Sequence, residues 1–360
     1  MPVSSLALAA TPRTKPKLTQ TRHSAFAFLA FFAANPSLPM KSLRPLLAGL
    51  LLFAGRASAL AADPHEFWLD LAEGEELAEA HVIDDLATAG VVYVGEAHTI
   101  ARHHALQLHL LQSLAARGLP LVLCLEQLEA RMQPALDRYN KGEIDYDTLA
   151  REIDWAKKWK NYLDYRALCE FAHAHEIPLR ALNAPAEVIR AISRGGGLAK
   201  LPVDQRAVLP PEIVLDDPAY ERMMNLQLAV HMAMDPEKLR PVFEAQVARD
   251  ETMAANIFLG RHDGAGDKPR TAFVVIGGGH VRYGQGTAAR VRRRDPGIVE
   301  RIVLMTESGQ LTLTAADKAA SREISISHAA VRELGRAPGD YLNVLPLAAT
   351  APAASAAKKP

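Results

Sequence analysis

Short uninterrupted apolar runs alternate along this chain with stretches of helical periodicity. Val91-Val92-Tyr93-Val94 and Phe273-Val274-Val275-Ile276 are rich in β-branched residues, the pattern of parallel strands buried on both faces. Pro120 to Leu125, Ile177 to Leu182 and Ile298 to Met305 repeat it. Between the first two strands, His103 to Arg117 carries Ala105, Leu106, Leu108, Leu111 and Leu114 at helical spacing and stops at Gly118. Residues 63–90 read as helical, with Leu69, Leu71, Leu77, His81 and Leu86 near one face, as do Glu126 to Tyr139 and Tyr146 to Glu176. Pro185 and Glu187 start a further helix that Gly195-Gly196-Gly197 breaks. A long helical tract from Asp217 to Gly260 is interrupted near Asp235-Pro236, and Thr287 to Arg294 forms a last helix. Strand–helix–strand order implies right-handed parallel crossovers. The expected fold class is α/β: a mostly parallel sheet flanked by helices, with a helical insertion subdomain around 127–176 and 186–260.

Three of these strands end in residues with chemistry. The first leads into Gly95-Glu96-Ala97-His98, another into Gly277-Gly278-Gly279-His280, and a third into Glu126-Gln127. Ligands of open α/β sheets bind outside the carboxyl ends of the strands. Glu96, His98, Glu126 and His280 are therefore expected to share one crevice. Residues two apart in an extended chain point the same way, so Glu96 and His98 address one space. A carboxylate beside an imidazole suits metal binding or general acid–base work; the competing reading is a hydrogen bond that caps the next helix. Three consecutive glycines lose backbone entropy and mark close approach by a ligand or another backbone, which favours a functional His280. Glu126 at a strand end is costly unless it ligates or pairs. His103-His104 either reach this site or simply open their helix. His173 and His175, two apart on a helix, do not share a face. Met223, Met224, Met232 and Met234 near His231 read as core, and Arg290 to Arg294 as a charged helix end. The absence of H-E-x-x-H, G-x-S-x-G and P-loop patterns argues against those hydrolase and NTPase classes.

With 360 residues, 49% hydrophobic and 23% charged, the chain supports a sizeable globular core. Lys plus Arg (41) balances Asp plus Glu (41), so no net field draws nucleic acid, and no nucleic-acid partner is expected. Met40-Lys41-Ser42-Leu43-Arg44, the apolar run Pro45 to Phe53 and Ala57-Ser58-Ala59 form the pattern of a secretory signal. Residues 40–61 are thus expected to be a signal peptide, and 1–39 a mis-called or non-native extension. The apolar run is too short to span a bilayer. An exported, periplasmic protein without a lipid-anchor cysteine is the expectation. Residues 347–360, rich in Ala and Pro, are expected to be a disordered tail. Cys124 and Cys169 read as buried free thiols, although an exported protein allows a disulfide.

Taken in order, Val94 to His98, His103 to Gln107, Leu125 to Gln127, Gln133 to Leu136, Trp155 to Tyr162, Ala181 to Pro185, Gln246 to Ala254 and Gly277 to Gly284 resemble the ChaN-type haem-binding uptake family of the Tiki superfamily, whose relatives include erythromycin-esterase-like proteins. Asp340-Tyr341-Leu342 resembles its closing segment. The resemblance implies a ChaN-like α/β domain over 62–346 that binds haem for iron uptake, with a homodimer and a haem receptor or transporter as possible partners. Haem iron takes Tyr, His or Met ligands; Tyr283, Tyr162, Tyr165 and Tyr220 are the candidates. The alternative it implies is a metal-dependent hydrolase, protease or esterase-like. His98, His280 and a carboxylate, Glu96 or Glu126, would hold a divalent ion, and the other carboxylate would act as general base. Two departures stand out: there is no lipid-attachment cysteine, and Gly278 and Thr287-Ala288 stand where relatives often have the Asn of Gly-Asn-Gly-His and Ile-Pro.

Overall fold

The computed structural model describes residues 65–232, 236–264, 266, 268–307 and 335–346. The expected extension 1–39, signal peptide 40–61 and tail 347–360 lie outside the described residues, as do Met234 and the side chains of His231 and Met232. In chain order the strands are β1 (Phe67–Asp70), β2 (Glu76–Leu77), β3 (Val91–Glu96), β4 (Leu121–Glu129), β5 (Leu179–Asn183), β6 (Thr271–Gly277), β7 (Glu300–Met305) and β8 (Tyr341–Val344). The helices are α1 (Glu79–Leu86), α2 (Ala101–Ala115), α3 (Gln133–Asn140), α4 (Tyr146–Glu152), α5 (Trp155–Lys158), α6 (Arg166–Ala174), α7 (Ala186–Gly195), α8 (Val203–Arg206), α9 (Pro218–Met232), α10 (Pro236–His262) and α11 (Gly286–Arg294).

Among the described residues the strands form one sheet in the order β2-β1-β8-β7-β3-β6-β4-β5. From β8 to β5 all neighbours are parallel, and β1 runs antiparallel to both β2 and β8. Alternate residues of each strand face opposite sides. Val92, Val94, Leu123, Leu125 and Val275 pack with α1, α2, α4 and α6 on one face. Val91, Tyr93, Val122, Val274 and Ile276 pack with α10 and α11 on the other. Burial on both faces is why these strands read as continuous apolar runs. Leu110, Leu111 and Leu114 of α2 are fully buried, each contributing about 1.5–3 kcal/mol.

β6 lies between β3 and β4 although it follows both in sequence. The crossover from β3 through α2 therefore skips a position instead of reaching an adjacent strand. This insertion puts the carboxyl ends of β3, β6 and β4 side by side. Glu96 pairs in register with Gly277, while the β4–β6 ladder ends at Leu125↔Val275.

Three helical expectations are corrected. Residues 63–90 hold β1 and β2 before the short α1; β1 buries only Trp68, so this edge strand lacks a clear alternation. Strand β4 continues through Glu129, with a register irregularity between Leu125 and Glu129. Its polar end stays extended because Glu126, Gln127 and Glu129 all find hydrogen-bond partners on other elements. The tract from Tyr146 to Glu176 is broken by Asp154, left-handed at φ 52, and by extended Trp159. Cys124 and Cys169 are free and buried on opposite faces of the sheet, and burial pushes the Cys124 thiol up to about 12.

Candidate functional site

At the carboxyl end of β3, Glu96 is a buried carboxylate with a full set of donors. Gln107 of α2 donates to it at 2.6 Å, Gln127 of β4 at 2.9 Å and the Tyr165 hydroxyl at 2.6 Å. His98 Nδ1–H donates at 2.7 Å. Burial alone would raise the Glu96 carboxyl, but the His98 hydrogen bond and charge leave it lowered. Because Nδ1 is engaged by Glu96, His98 Nε2 is the free ring nitrogen. The His98 carbonyl accepts from His104 Nε2 at 3.0 Å and from Asn161, and Trp159 stacks edge-on at 4.9 Å. Gly277 makes room for this ring: a Cβ there would lie 3.0 Å from His98 Nε2. Burial disfavours the His98 imidazolium, yet Glu96 and Glu126 keep its pKa raised.

The neighbouring corner holds its histidine from both sides. Past β6, Gly278–His280 forms a single 3-10 turn. His280 Nδ1 donates to Asp250 at 2.6 Å, and Nε2 lies 3.3 Å from Glu126. The Gln246 amide lies 2.8 Å from Nδ1. Glu126 accepts the Gly277 N–H at 2.6 Å. Asp250 also accepts from the Tyr220 hydroxyl at 2.6 Å and from Thr287 at 2.9 Å. Burial opposes charge on His280, but Glu126 and Asp250 outweigh it and push its pKa up to about 9. Burial likewise opposes charge on Glu126, yet His280 and the Gly277 N–H hold it well below the usual carboxylate range. Gly286 completes the corner, since at φ +54 a Cβ would strike the His280 carbonyl at 2.3 Å.

All four residues picked from the strand ends thus meet. His98, Glu126 and His280 line one cleft of about 510 Å³, with Glu96 buried behind His98. Its remaining wall includes Trp159, Met132, Lys157, Lys158, Arg190 and Arg249. The volume falls within the usual range for small-molecule sites. Gln127 Oε1, Asn183 Oδ1 and Arg249 Nε, on residues lining the cleft, are buried without a hydrogen-bond partner. As metal ligands the four residues are not assembled: they form paired acid–imidazole contacts, and no cluster of three or more His, Cys, Asp or Glu side chains suited to a metal ion occurs among the described residues.

None of the four tyrosines lines this cleft. Tyr165 and Tyr220 are buried donors to Glu96 and Asp250. Burial first, then the adjacent carboxylate, raises both phenols. Tyr162 packs against the core beside Trp155, and Tyr283, left-handed at φ 60, packs near Tyr220 and Phe243. His103 accepts from the Ala97 N–H and donates to the Thr306 carbonyl, and burial lowers its pKa; it holds the loop. Asp250, Gln246, Gln107 and Arg249 entered the sequence reading only within the stretches that carry the family resemblance, not as site residues. The i, i+3, i+4 spacing of Gln246, Arg249 and Asp250 on one helix face was the available signal.

The model of the family described as "Haem-binding uptake, Tiki superfamily, ChaN" matches residues 82–291. Among solved structures, the chain is similar to ChaN of Campylobacter jejuni with cofacially bound haem, at 18% identity and a TM-score of 0.56, over 78% of this chain and 96% of that one. That likeness shows the fold. Weaker similarities are to an erythromycin esterase, EreC, in its open conformation (12% identity, TM-score 0.38, 66% of this chain and 76% of that one) and to the RRSP toxin effector domain of Vibrio vulnificus (14% identity, TM-score 0.37, 74% and 42%). No curated protein matches the chain. With the family model spanning more than half of its length, the chain belongs to the ChaN family of haem-binding uptake proteins in the Tiki superfamily.

Proposed function

We propose that this protein binds haem in the cleft, with His98 Nε2 as the iron ligand. The observation that carries the reading is a half-open imidazole facing the cleft, its other nitrogen held at 2.7 Å by a buried carboxylate. A carboxylate behind a ligating histidine fixes the tautomer and raises the ring's basicity. An imidazole nitrogen is a ligand that haem iron accepts, Trp159 offers an apolar wall, and the basic residues around the cleft suit carboxylates. Haem is cargo here, so the chain's task is to bind and orient it. The neighbours that favour protonated His98 set a proton in competition with iron for Nε2.

Hydrolysis is the weaker reading. His280, charged at neutral pH between two carboxylates, has no free nitrogen with which to accept a proton. It serves as a fixed positive charge that keeps Glu126 ionised. The divalent-metal version of that reading has no ligand cluster behind it among the described residues.

The signal-like pattern of residues 40–61 and the family's uptake role support export to the periplasm, with haem passing to or from a receptor or transporter and a homodimer as the working assembly. Amino-terminal sequencing of the exported chain tests the first of these: cleavage after Ala59 or Ala61 is expected, and an intact Met1 or Met40 contradicts it. The haem assignment itself is tested by titrating ferric haem and following the Soret band. A saturable, stoichiometric shift is expected; a linear, unsaturable one contradicts it.

A further inference from the structure

We infer that Arg249 takes a carboxylate of the bound ligand and so selects a free acid over its ester, an assignment that rests on the haem reading. The cleft carries four cationic side chains from three helices: Lys157 and Lys158 of α5, Arg190 of α7 and Arg249 of α10. Lys157 is paired with Asp154 at 3.2 Å and Lys158 with Glu129 at 2.9 Å. The acids of the cleft are likewise matched. Glu126 faces His280, and Glu129 and Glu187 both face Arg131. Among the described residues Arg249 has no ion pair, and its Nε is buried without a hydrogen-bond partner. A buried donor left unpaired is costly, and this one belongs to a residue that lines the cleft.

Position strengthens the assignment. On α10, Arg249 sits between Gln246 and Asp250, the two residues that hold His280. Its backbone is therefore tied to the locked corner, and its side chain lines the cleft from α10. Arg190 on α7 lines the cleft as well but is exposed, where water and salt screen its charge. A guanidinium presents a planar fork that matches a carboxylate bidentately. A porphyrin with ionised propionates offers that partner, whereas its dimethyl ester, of nearly the same size and the same iron, does not.

The test titrates ferric haem and ferric haem dimethyl ester into the full chain and into Arg249→Ala, Arg249→Lys and Arg190→Ala. Far-ultraviolet circular dichroism confirms that each variant folds. Wild type is expected to favour the acid over the ester by about tenfold or more, the scale of one charge-assisted hydrogen bond. Arg249→Ala should erase that preference by weakening the acid alone, Arg249→Lys should restore part of it, and Arg190→Ala should cost less. Equal binding of acid and ester by wild type, or an equal loss of both in Arg249→Ala, overturns the role of Arg249 while leaving haem binding intact. Failure of wild type to bind either porphyrin overturns the haem reading and this assignment together.

Discussion

The two glutamate–histidine corners of this sheet are built from similar sequence and do opposite things. At the end of β3, the His98 side chain is 35% exposed and has one carboxylate partner, Glu96. At the end of β6, the His280 side chain is 9% exposed and is gripped by Glu126 and Asp250 together. One imidazole keeps a nitrogen for a ligand, and the other is a buried cation in a finished network. A strand-end histidine is thus open or locked according to how many carboxylates the neighbouring elements deliver. The second carboxylate comes from α10, far from either motif in sequence.

The largest effect expected is on the locked corner. Asp250→Ala leaves His280 with one partner fewer and removes the acceptor of Tyr220 and Thr287; breaking a buried pair costs roughly 3–5 kcal/mol. Urea unfolding should show that loss, whereas His98→Ala should change stability by well under half as much. Similar losses for both would erase the distinction between the corners.

Next in size is a pH dependence. His280 has its folded pKa raised from 6.5 to about 9. Its contribution is therefore fully present below about pH 6.5 and is lost as pH rises towards 9. Glu126 is lowered, so its contribution is present above its ordinary carboxylate range and fades only in acid. Thermal melts of wild type should weaken between pH 6.5 and 9, and His280→Gln should flatten that slope. An unchanged slope in the variant would place the titrating group elsewhere.

Changes at the open corner should act on the ligand. Glu96→Gln, which loosens the group orienting His98, is expected to weaken haem by about 10–100-fold, read by Soret titration. Unaltered affinity would show that Glu96 does not support the ligand. Smallest is Gly277→Ala. Its backbone, at φ −59 and ψ 130, suits alanine, so stability should change by under about 1 kcal/mol. The new Cβ crowds His98 Nε2, and haem should weaken less than in Glu96→Gln. Full haem affinity in Gly277→Ala would mean that the ring is not confined as described.

The sequence carried the central strands and the meeting of Glu96, His98, Glu126 and His280, because doubly buried strands announce themselves and ligands gather at their carboxyl ends. It did not carry the difference between the corners. Asp250 sits on a helix whose periodicity says only which face is buried, and nothing local marks it as the partner of His280. The four tyrosines show the converse. As phenols they suited haem, but Tyr165 and Tyr220 are hydrogen-bonded to the site's carboxylates. The edge strand β1 escaped because one buried residue in four leaves no alternation to read. The polar end of β4 escaped because its charges are satisfied by tertiary partners, not by solvent.

The central claim, that the open histidine is the ligand and the locked one is not, is tested most directly by the Soret spectrum of three chains saturated with ferric haem: wild type, His98→Ala and His280→Gln. The account predicts that the wild-type band is lost or reshaped in His98→Ala, with affinity falling by more than about 100-fold, and is kept in His280→Gln at the same wavelength. A wild-type spectrum in His98→Ala, or its loss only in His280→Gln, would contradict it.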